Sequence, residues 1–294
     1  MELTKTQRDR IFDAVKENRK NYDSDAKHAT ALGLSKAYYS SIKNGETERV
    51  STATLVTLAR RLNVSLRSEM EWKAAETPVY TYITQQLEYC QQSSLSGLLC
   101  DVPNIGKTFT AKAYVRTHKN AIYVDCGQVK TKMRMIRHIA KEFGVNFNGR
   151  YADVYDDLVY YLKSIERPLI ILDEAGDIAY ETFEELKALW NATEHCCGWF
   201  MMGANGLKKK IRSGMERETN SYEEMFSRYG GKFNRITPED MKERAKFLEA
   251  QSYMIAKLNR PIGCDIRQII NRAGGNLRRV YTEIEKEVLN GKED

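Results

Sequence analysis

One stretch in the first half of the chain constrains its fold more than any other. An apolar run at residues 97–100 leads directly into residues 101–108 (Asp-Val-Pro-Asn-Ile-Gly-Lys-Thr), and a helical segment follows at 109–117. A strand, a tight loop and a helix in this order bring backbone N–H groups and the positive end of the helix dipole to one point, where an anion is stabilised. The stretch therefore predicts a phosphate-binding loop between a buried strand and a helix.

The side chains of this loop have the chemistry of a nucleotide site. Lys107 would reach the terminal phosphates of ATP, and the Thr108 hydroxyl would ligate Mg²⁺. The motif G-x-x-x-x-G-K-[ST] has glycine where this chain has Asp101, whose carboxylate would repel phosphate if it pointed inward. Asn104 stands where related loops often carry glycine, and asparagine adopts left-handed conformations more readily than most residues. The predicted nucleotide-binding residues are Asn104, Ile105, Gly106, Lys107, Thr108 and Phe109.

A second apolar run supplies the acidic half of such a site. Residues 169–172 (Leu-Ile-Ile-Leu) are followed at once by Asp173 and Glu174. Beside a phosphate loop, the first carboxylate after a buried strand holds the Mg²⁺ ion, and a neighbouring carboxylate polarises the attacking water. We assign these roles to Asp173 and Glu174 respectively. ATP and Mg²⁺ are thus the predicted cofactors, and ATP hydrolysis is the predicted reaction.

The wider pattern predicts an α/β core with helical modules on either side. From residue 96 onward, apolar runs alternate with amphipathic helical segments, which is typical of a parallel sheet with crossover helices. After Pro238 the remaining segments have helical patterns. The predicted strands are 97–100, 121–125, 168–172, 198–203 and a weaker 232–236. The predicted domains are a small helical domain at 1–66, a linker at 67–80, a P-loop core at 81–238 and a helical lid at 239–294.

The two motifs in this setting resemble the AAA+ family of P-loop ATPases. The resemblance implies a polar sensor at Asn205 that orients the attacking water, and a second sensor at Arg278 that contacts the nucleotide. It also implies an arginine finger, here Arg228, that reaches the γ-phosphate bound by a neighbouring subunit, so that hydrolysis requires a homo-oligomer. The competitors for the finger are Arg212 and Arg217. Ordinary turn and surface roles for Asn205 and Arg228 stay open as alternatives.

Residues 24–64 resemble the helix-turn-helix family of Cro and the phage repressors. Gly33 permits the sharp turn, Ser35 caps the second helix of the motif, and Tyr39 and Ile42 pack inward. The residues on the opposite face, which would enter the major groove of DNA, are Lys36, Ala37, Ser40 and Ser41. This face lacks the Arg, Asn and Gln side chains that read bases, so we expect a weak sequence preference. A role in protein contacts is the alternative for this domain.

Basic residues are concentrated where DNA contact is predicted. The formal net charge is +6, and residues 1–68 hold 13 Lys/Arg against 8 Asp/Glu. A basic segment of this kind is suited to a polyanion, although an ordinary solvated surface has the same composition. A second basic cluster follows the second predicted strand, where AAA+ rings and filaments often place loops that line a DNA channel. The predicted DNA-binding residues are Lys36, Lys43, Arg49, Lys130, Lys132, Arg134 and Arg137.

The sequence contains no membrane or export signal that we recognise. No apolar run approaches the ~18–20 residues needed to span a bilayer, and the first residues lack the apolar stretch of a signal peptide. The six cysteines form neither a CxxC pair nor a zinc-type spacing. We expect a cytoplasmic protein with no membrane association and with reduced thiols.

A helix-turn-helix domain joined to a compact AAA+ core and a short helical lid resembles the transposition ATPases of the Mu B, IstB and TnsC type. The resemblance implies that ATP-bound subunits assemble on double-stranded target DNA as a ring or helical filament. It also implies that they recruit and activate a transposase, and that hydrolysis disassembles them. Two alternatives stay open: a helicase loader, whose partner is a helicase, and a transcriptional regulator that responds to nucleotide and hardly hydrolyses it.

Overall fold

The computed structural model describes residues 3–46, 50–62, 64, 66 and 72–290. They form an N-terminal helical domain, an α/β core and a C-terminal group of helices. The N-terminal helices are α1 (Lys5–Arg19), α2 (Asp25–Leu32), α3 (Lys36–Lys43) and α4 (Thr52–Arg61). The core helices are α5 (Pro78–Ser93), α6 (Lys107–Thr117), α7 (Lys132–Glu142), α8 (Tyr151–Ser164), α9 (Tyr180–Ala192), α10 (Asn205–Glu216) and α11 (Tyr222–Arg228). The C-terminal helices are α12 (Met241–Asn259), α13 (Ile266–Ala273) and α14 (Leu277–Asn290).

The N-terminal domain has the helix-turn-helix arrangement that the sequence predicted. Ser24 and Ser35 accept hydrogen bonds from the backbone N–H three residues on, which fixes where α2 and α3 begin. Gly33 ends α2 in the left-handed region at φ 61°, which glycine adopts without steric cost. Tyr39 and Ile42 of α3 are buried in the core of this domain. The opposite face of α3 is therefore left to the solvent.

Four parallel strands form one sheet within the part of the chain that the structure describes. The strands are β1 (Ser96–Cys100), β2 (Ala121–Asp125), β3 (Leu169–Asp173) and β4 (Gly198–Gly203). Their order across the sheet is β1-β4-β3-β2. Because all four run in the same direction, the polar residues after β1, β3 and β4 meet at one edge of the sheet.

The fifth predicted strand, 232–236, is wrong as a strand. Only one bridge forms there, in which the Cys100 N–H donates to the Asn234 carbonyl at 2.9 Å and the Asn234 N–H donates to the Leu98 carbonyl at 3.2 Å. The next N–H, that of Ile236, donates to the Asp101 carboxylate at 2.7 Å. A carboxylate directly after β1 thus takes the donor that would have continued the ladder.

The sheet separates two apolar clusters. Ile170 and Leu172 of β3 pack into the cluster covered by α7 to α11, whereas Leu169 and Ile171 pack into the cluster covered by α5 and α6. Both faces of the strands are therefore buried, as expected for a parallel sheet. All six cysteines are free thiols. None of the described helices is both long enough and apolar enough to cross a membrane.

The lid is fastened to the segment that precedes α5. The Asn259 side chain accepts a hydrogen bond from the Lys73 N–H at 2.7 Å and donates one to the Lys73 carbonyl at 3.0 Å. The rings of Trp72 and Tyr281 lie 5.0 Å apart. Part of the proposed linker is thus bonded to the lid, and α5 begins inside its limits at Pro78. The domain limits of 1–66, 67–80, 81–238 and 239–294 stay a proposal.

The helix-turn-helix domain docks on the α/β core through the turn between α1 and α2. The Asn21 side chain donates to the carbonyls of Val115 and Arg116, at the carboxyl end of α6, at 3.1 and 3.2 Å. The Tyr22 hydroxyl donates to the Glu142 carbonyl, at the carboxyl end of α7, at 3.0 Å. These contacts satisfy helix-end carbonyls that have no intrahelical partner, and they fix how the domain sits on the core.

Replacing Gly144 by alanine should loosen this docking. A Cβ at Gly144 would lie 2.4 Å from the Lys27 carbonyl oxygen, so the two domains would have to move apart. Gly149→Ala is the matched control, because Gly149 also has a positive φ but a Cβ there meets nothing within 4 Å. We expect backbone amides of α2 to exchange hydrogen faster in Gly144→Ala and unchanged in Gly149→Ala. Equal exchange in all three proteins would show that this approach does not hold the domain.

Candidate nucleotide-binding and DNA-binding sites

The predicted phosphate-binding loop, residues 101–106, lies between β1 and α6. Asn104 has φ 62° and Gly106 has φ 104°, so asparagine does adopt the left-handed conformation at its position. Ile105 is buried and anchors the loop, whereas the Phe109 ring is 41% exposed. The first N–H groups of α6 have no intrahelical acceptor and are available to an anion.

Lys107 is folded onto its own loop. Its ammonium donates to the carbonyls of Asp101 and Val102 at 3.0 and 2.7 Å, and the side chain is buried. Burial lowers the pKa of Lys107, and the carboxylates of Asp101, Asp173 and Glu174 oppose that shift. The ammonium is therefore a buried cation with only carbonyl partners, and phosphate oxygens would be stronger acceptors for it.

Asp101, which replaces the first glycine of the motif, is turned to the segment 235–237. Its Oδ2 accepts hydrogen bonds from the N–H groups of Ile236 at 2.7 Å and Thr237 at 2.9 Å. Its Oδ1 accepts from the Val102 N–H at 2.7 Å and from the Thr237 hydroxyl, and the Arg235 Nε lies 3.7 Å away. The carboxylate is fully buried and its oxygens are occupied by these donors. It ties the phosphate loop to the segment leading into the lid.

The Asp173 carboxylate accepts three hydrogen bonds from neighbouring residues of the site. Its Oδ2 accepts hydrogen bonds from the Thr108 hydroxyl at 2.6 Å and from the Tyr123 hydroxyl at 2.9 Å. Its Oδ1 accepts from the Glu174 N–H at 2.9 Å. The two predicted Mg²⁺ ligands thus touch each other, and hydroxyl and carboxylate oxygens are the hard donors that this ion prefers. Sequence reasoning missed Tyr123, because a tyrosine in a strand is typical of an apolar core.

Glu174 directly follows Asp173 and is exposed at the same edge of the sheet. It adopts φ 51°, a left-handed conformation that is strained for a side chain of this kind and is often found at functional sites. Desolvation raises the pKa of Glu174, the Asp173 carboxylate raises it further, and Lys107 opposes the rise. Raised basicity suits a carboxylate that polarises water.

Asn205 begins α10 directly after β4. Since β4 lies between β1 and β3, this residue is at the same sheet edge as the phosphate loop and Asp173. Its side chain is exposed. Farther along α10, the Lys210 ammonium donates to the carbonyls of Gly176, at 3.0 Å, and Ile178. The helix that carries Asn205 is thereby bonded to the turn that follows Glu174.

Arg228 is held by neighbouring side chains of its own chain. Its Nε donates to the Asn191 Oδ1 at 3.0 Å, its Nη1 lies 3.5 Å from the Glu224 Oε2, and its guanidinium lies over the Trp190 ring at 5.3 Å. Arg212, one of its competitors, lies over an aromatic ring at 5.5 Å. Arg217 is exposed, and no side-chain partner of it is found among the described residues. The three candidate fingers therefore differ in the number of contacts that must break before the side chain can reach a neighbouring subunit.

Arg278 lies at the start of α14, beside the phosphate loop. The preceding residue, Leu277, would be 3.9 Å from a Cβ placed on Gly106, so the lid and the loop are neighbours. The Arg278 side chain is exposed. The predicted second sensor therefore lies close to the loop, but its side chain is exposed to solvent.

The predicted DNA-binding residues have different surroundings. Lys36 is exposed on α3, and Lys43 pairs with Asp25 at 2.7 Å while its side chain stays 65% exposed. Arg137 donates to the carbonyls of Phe147 and of Gly149, the latter at 2.7 Å, and so holds the loop after α7. The residues exposed around the beginning of α7 are Lys130, Lys132 and Arg134. Arg49 lies outside the described residues.

Comparisons with known proteins bear on both halves of the chain. Residues 90–211 match the family described as AAA domain, and residues 15–68 match the one described as helix-turn-helix. The chain is 25% identical over 205 residues to the "ATP-dependent target DNA activator B" of Escherichia phage Mu, across 68% of this chain and 63% of that protein. It is 24% identical over 154 residues to the "Mu-like prophage FluMu DNA transposition protein B" of Haemophilus influenzae, across 52% of this chain and 53% of that protein.

These matches agree with the resemblance drawn from the motifs. The matched region spans less than two thirds of the length of either relative. The fold that the sequence predicted, an α/β P-loop core beside a helix-turn-helix domain, is confirmed. Residues 90–211 are therefore similar to a AAA domain and residues 15–68 to a helix-turn-helix domain, and the chain is similar in sequence to the B proteins of phage Mu and of the Mu-like prophage.

Proposed function

We propose that this protein is an ATP-hydrolysing, DNA-binding protein that assembles on target DNA with little sequence preference and recruits a transposase. One observation supports it above the others. The Thr108 hydroxyl and the Asp173 carboxylate are 2.6 Å apart, beside Lys107 and Glu174, in a chain whose helix-turn-helix domain exposes Lys36 on α3. The printed names of the relatives, which mention ATP, target DNA and transposition, support the same proposal.

In the proposed reaction the phosphate loop binds ATP, and residues at the edge of the sheet activate the attacking water. Lys107 exchanges its two carbonyl acceptors for phosphate oxygens of ATP. Thr108 and Asp173 would hold Mg²⁺, which neutralises charge on the phosphates when it is bound. Glu174 polarises the attacking water and Asn205 orients it. Attack on the γ-phosphate releases ADP and inorganic phosphate.

A neighbouring subunit would complete the site through an arginine. We retain Arg228 as the candidate, and its release from Asn191 and Glu224 is then part of assembly. Such an arginine raises the rate of hydrolysis by about 10³–10⁵-fold in the enzymes that use one. Arg217, which is exposed, is the competitor that assembly would reach without breaking side-chain contacts. Hydrolysis would in either case require a ring or filament of this chain.

DNA would be bound through its phosphates. The outer face of α3 offers Lys36 but no bidentate base reader, so contacts there position the protein without reading sequence. Binding of this kind weakens steeply as salt is raised, because each neutralised phosphate releases counterions. The proposed contact residues are Lys36, Lys43, Arg49, Lys130, Lys132, Arg134 and Arg137.

Replacing Glu174 by glutamine should trap the ATP-bound form. The amide keeps the size of the side chain but is a poor proton acceptor, so turnover should fall by about 10²–10⁴-fold while ATP binding persists. DNA complexes should then dissociate more slowly than those of the wild type, as measured by fluorescence anisotropy after a chase with unlabelled DNA. Glu181→Gln, an exposed carboxylate on α9, is the control and should change neither rate. If the Glu174 variant releases DNA as fast as the wild type, Glu174 is not the base.

The proposed function is tested by measuring ATP turnover with and without duplex DNA, using two duplexes of unrelated sequence. We expect turnover to rise with either duplex, and DNA affinity to rise with ATP for both. Protection of one specific operator without DNA-stimulated turnover would favour a nucleotide-responsive regulator. Capture of a helicase instead of a transposase by the ATP-bound protein would favour a helicase loader.

A further inference from the structure

Tyr123 contributes a contact to the candidate metal site that the nucleotide motifs do not account for. Its hydroxyl donates to the Asp173 Oδ2 at 2.9 Å, beside the bond from the Thr108 hydroxyl to the same oxygen at 2.6 Å. Strand register makes this contact possible. Tyr123 pairs with Ile171, so Asp173 is its diagonal neighbour on the same face of the sheet, within reach of a long side chain.

The two hydroxyls that donate to Asp173 would have different roles when a metal is bound. Thr108 is a proposed metal ligand, so its hydroxyl oxygen would be shared between the metal and Asp173. Tyr123 belongs to β2 and not to the phosphate loop, so its contact with Asp173 is made from the sheet itself. Its ring also lies under the Lys112 ammonium, 5.1 Å from the centroid, which restricts its movement. A tyrosine hydroxyl is a hydrogen-bond donor, and the Asp173 carboxylate is its acceptor here.

We propose that Tyr123 is a positioning residue that holds the Asp173 carboxylate in the orientation needed to bind Mg²⁺. The proposal rests on the proposed function of the same site. One oxygen of Asp173 is held by the Tyr123 hydroxyl and the other by the Glu174 N–H, so the plane of the carboxylate is fixed from both sides. Hydrogen-bond partners of metal ligands typically contribute 10–100-fold to metal affinity. Tyr123 should therefore set the affinity for the metal more than the affinity for the nucleotide.

Tyr123→Phe removes the hydroxyl and keeps the ring that packs under Lys112. The full-length variant is titrated with Mn²⁺ in the presence of a non-hydrolysable ATP analogue, and free Mn²⁺ is measured by electron paramagnetic resonance. We expect the Mn²⁺ dissociation constant to rise about tenfold. The affinity for the analogue in excess EDTA should stay at the wild-type value. This split between metal and nucleotide affinity would not arise if Tyr123 only stabilised the fold.

Tyr114→Phe is the matched control. Its buried hydroxyl donates to the Gln91 Oε1 at 2.7 Å, remote from Asp173, so its removal should leave the Mn²⁺ constant unchanged. If the wild type binds the metal with the analogue and Tyr123→Phe binds it equally well, the positioning role is overturned while the nucleotide site stands. If the wild type itself binds neither, the proposed function falls and the positioning role falls with it.

Discussion

Replacing Lys107 by alanine is expected to abolish nucleotide binding while leaving the fold intact. The ammonium is the cation of the phosphate loop, and removal of one partner from a buried, charge-paired contact costs about 3–5 kcal/mol. That loss corresponds to a weakening of more than about 100-fold in affinity for ATP. The fold should tolerate the change, because Lys107 bonds only to carbonyls of its own loop and its burial disfavours the charge.

Calorimetric titration with ATP and thermal unfolding of the same samples test this expectation. Lys163→Ala, which removes an exposed lysine of α8, is the control and should bind ATP like the wild type. An unchanged melting temperature with no measurable binding would assign Lys107 to the nucleotide. Wild-type affinity in the Lys107 variant would remove the phosphate loop from the proposed site.

Restoring the motif glycine at position 101 is expected to harm the protein. Asp101→Gly removes the acceptor of the buried N–H groups of Ile236 and Thr237, and it also releases the Val102 N–H and the Thr237 hydroxyl. Buried donors left without partners cost about 1–3 kcal/mol each, less whatever solvent or local movement recovers. We therefore expect a loss of about 3–5 kcal/mol and a fall in melting temperature on the order of 10 °C.

Thermal unfolding followed by circular dichroism measures this effect. Asp125→Gly is the matched control, since that carboxylate also directly follows the apolar part of a strand but accepts only the Gly127 N–H, at 3.0 Å, among the hydrogen bonds found. Its melting temperature should fall by much less. If Asp101→Gly is as stable as the wild type, the carboxylate does not tie the loop to the segment 235–237.

Features that depend on local chemistry were predictable from the sequence. Helix starts at Ser24 and Ser35 follow from side chains that accept backbone N–H groups, and the end of α2 follows from Gly33. The proximity of Thr108 and Asp173 follows from parallel strands, whose carboxyl ends share one edge of the sheet. The helix limits depend on neighbouring residues, whereas the contact of Thr108 with Asp173, 65 residues apart, is indicated by two motifs that each follow a strand.

Long-range contacts that no sequence motif indicates were not predictable. The segment 232–236 was predicted as a weak strand, but the Asp101 carboxylate takes the N–H of Ile236 that a ladder would need. Arg228 is bonded to Asn191, and α9, where Asn191 lies, is far from it in the chain. The docking of the turn containing Asn21 and Tyr22 on the ends of α6 and α7 likewise has no local signal. Only the folded chain brings these partners together.

We expect ATP binding to drive assembly of this protein on duplex DNA. Electron microscopy of the protein with long duplex DNA and a non-hydrolysable ATP analogue tests it most directly, with Lys107→Ala imaged in parallel. We expect regular rings or helical filaments along the DNA for the wild type and bare DNA for the variant. Isolated monomers on DNA in the presence of the analogue, or filaments formed equally by the Lys107 variant, would contradict it.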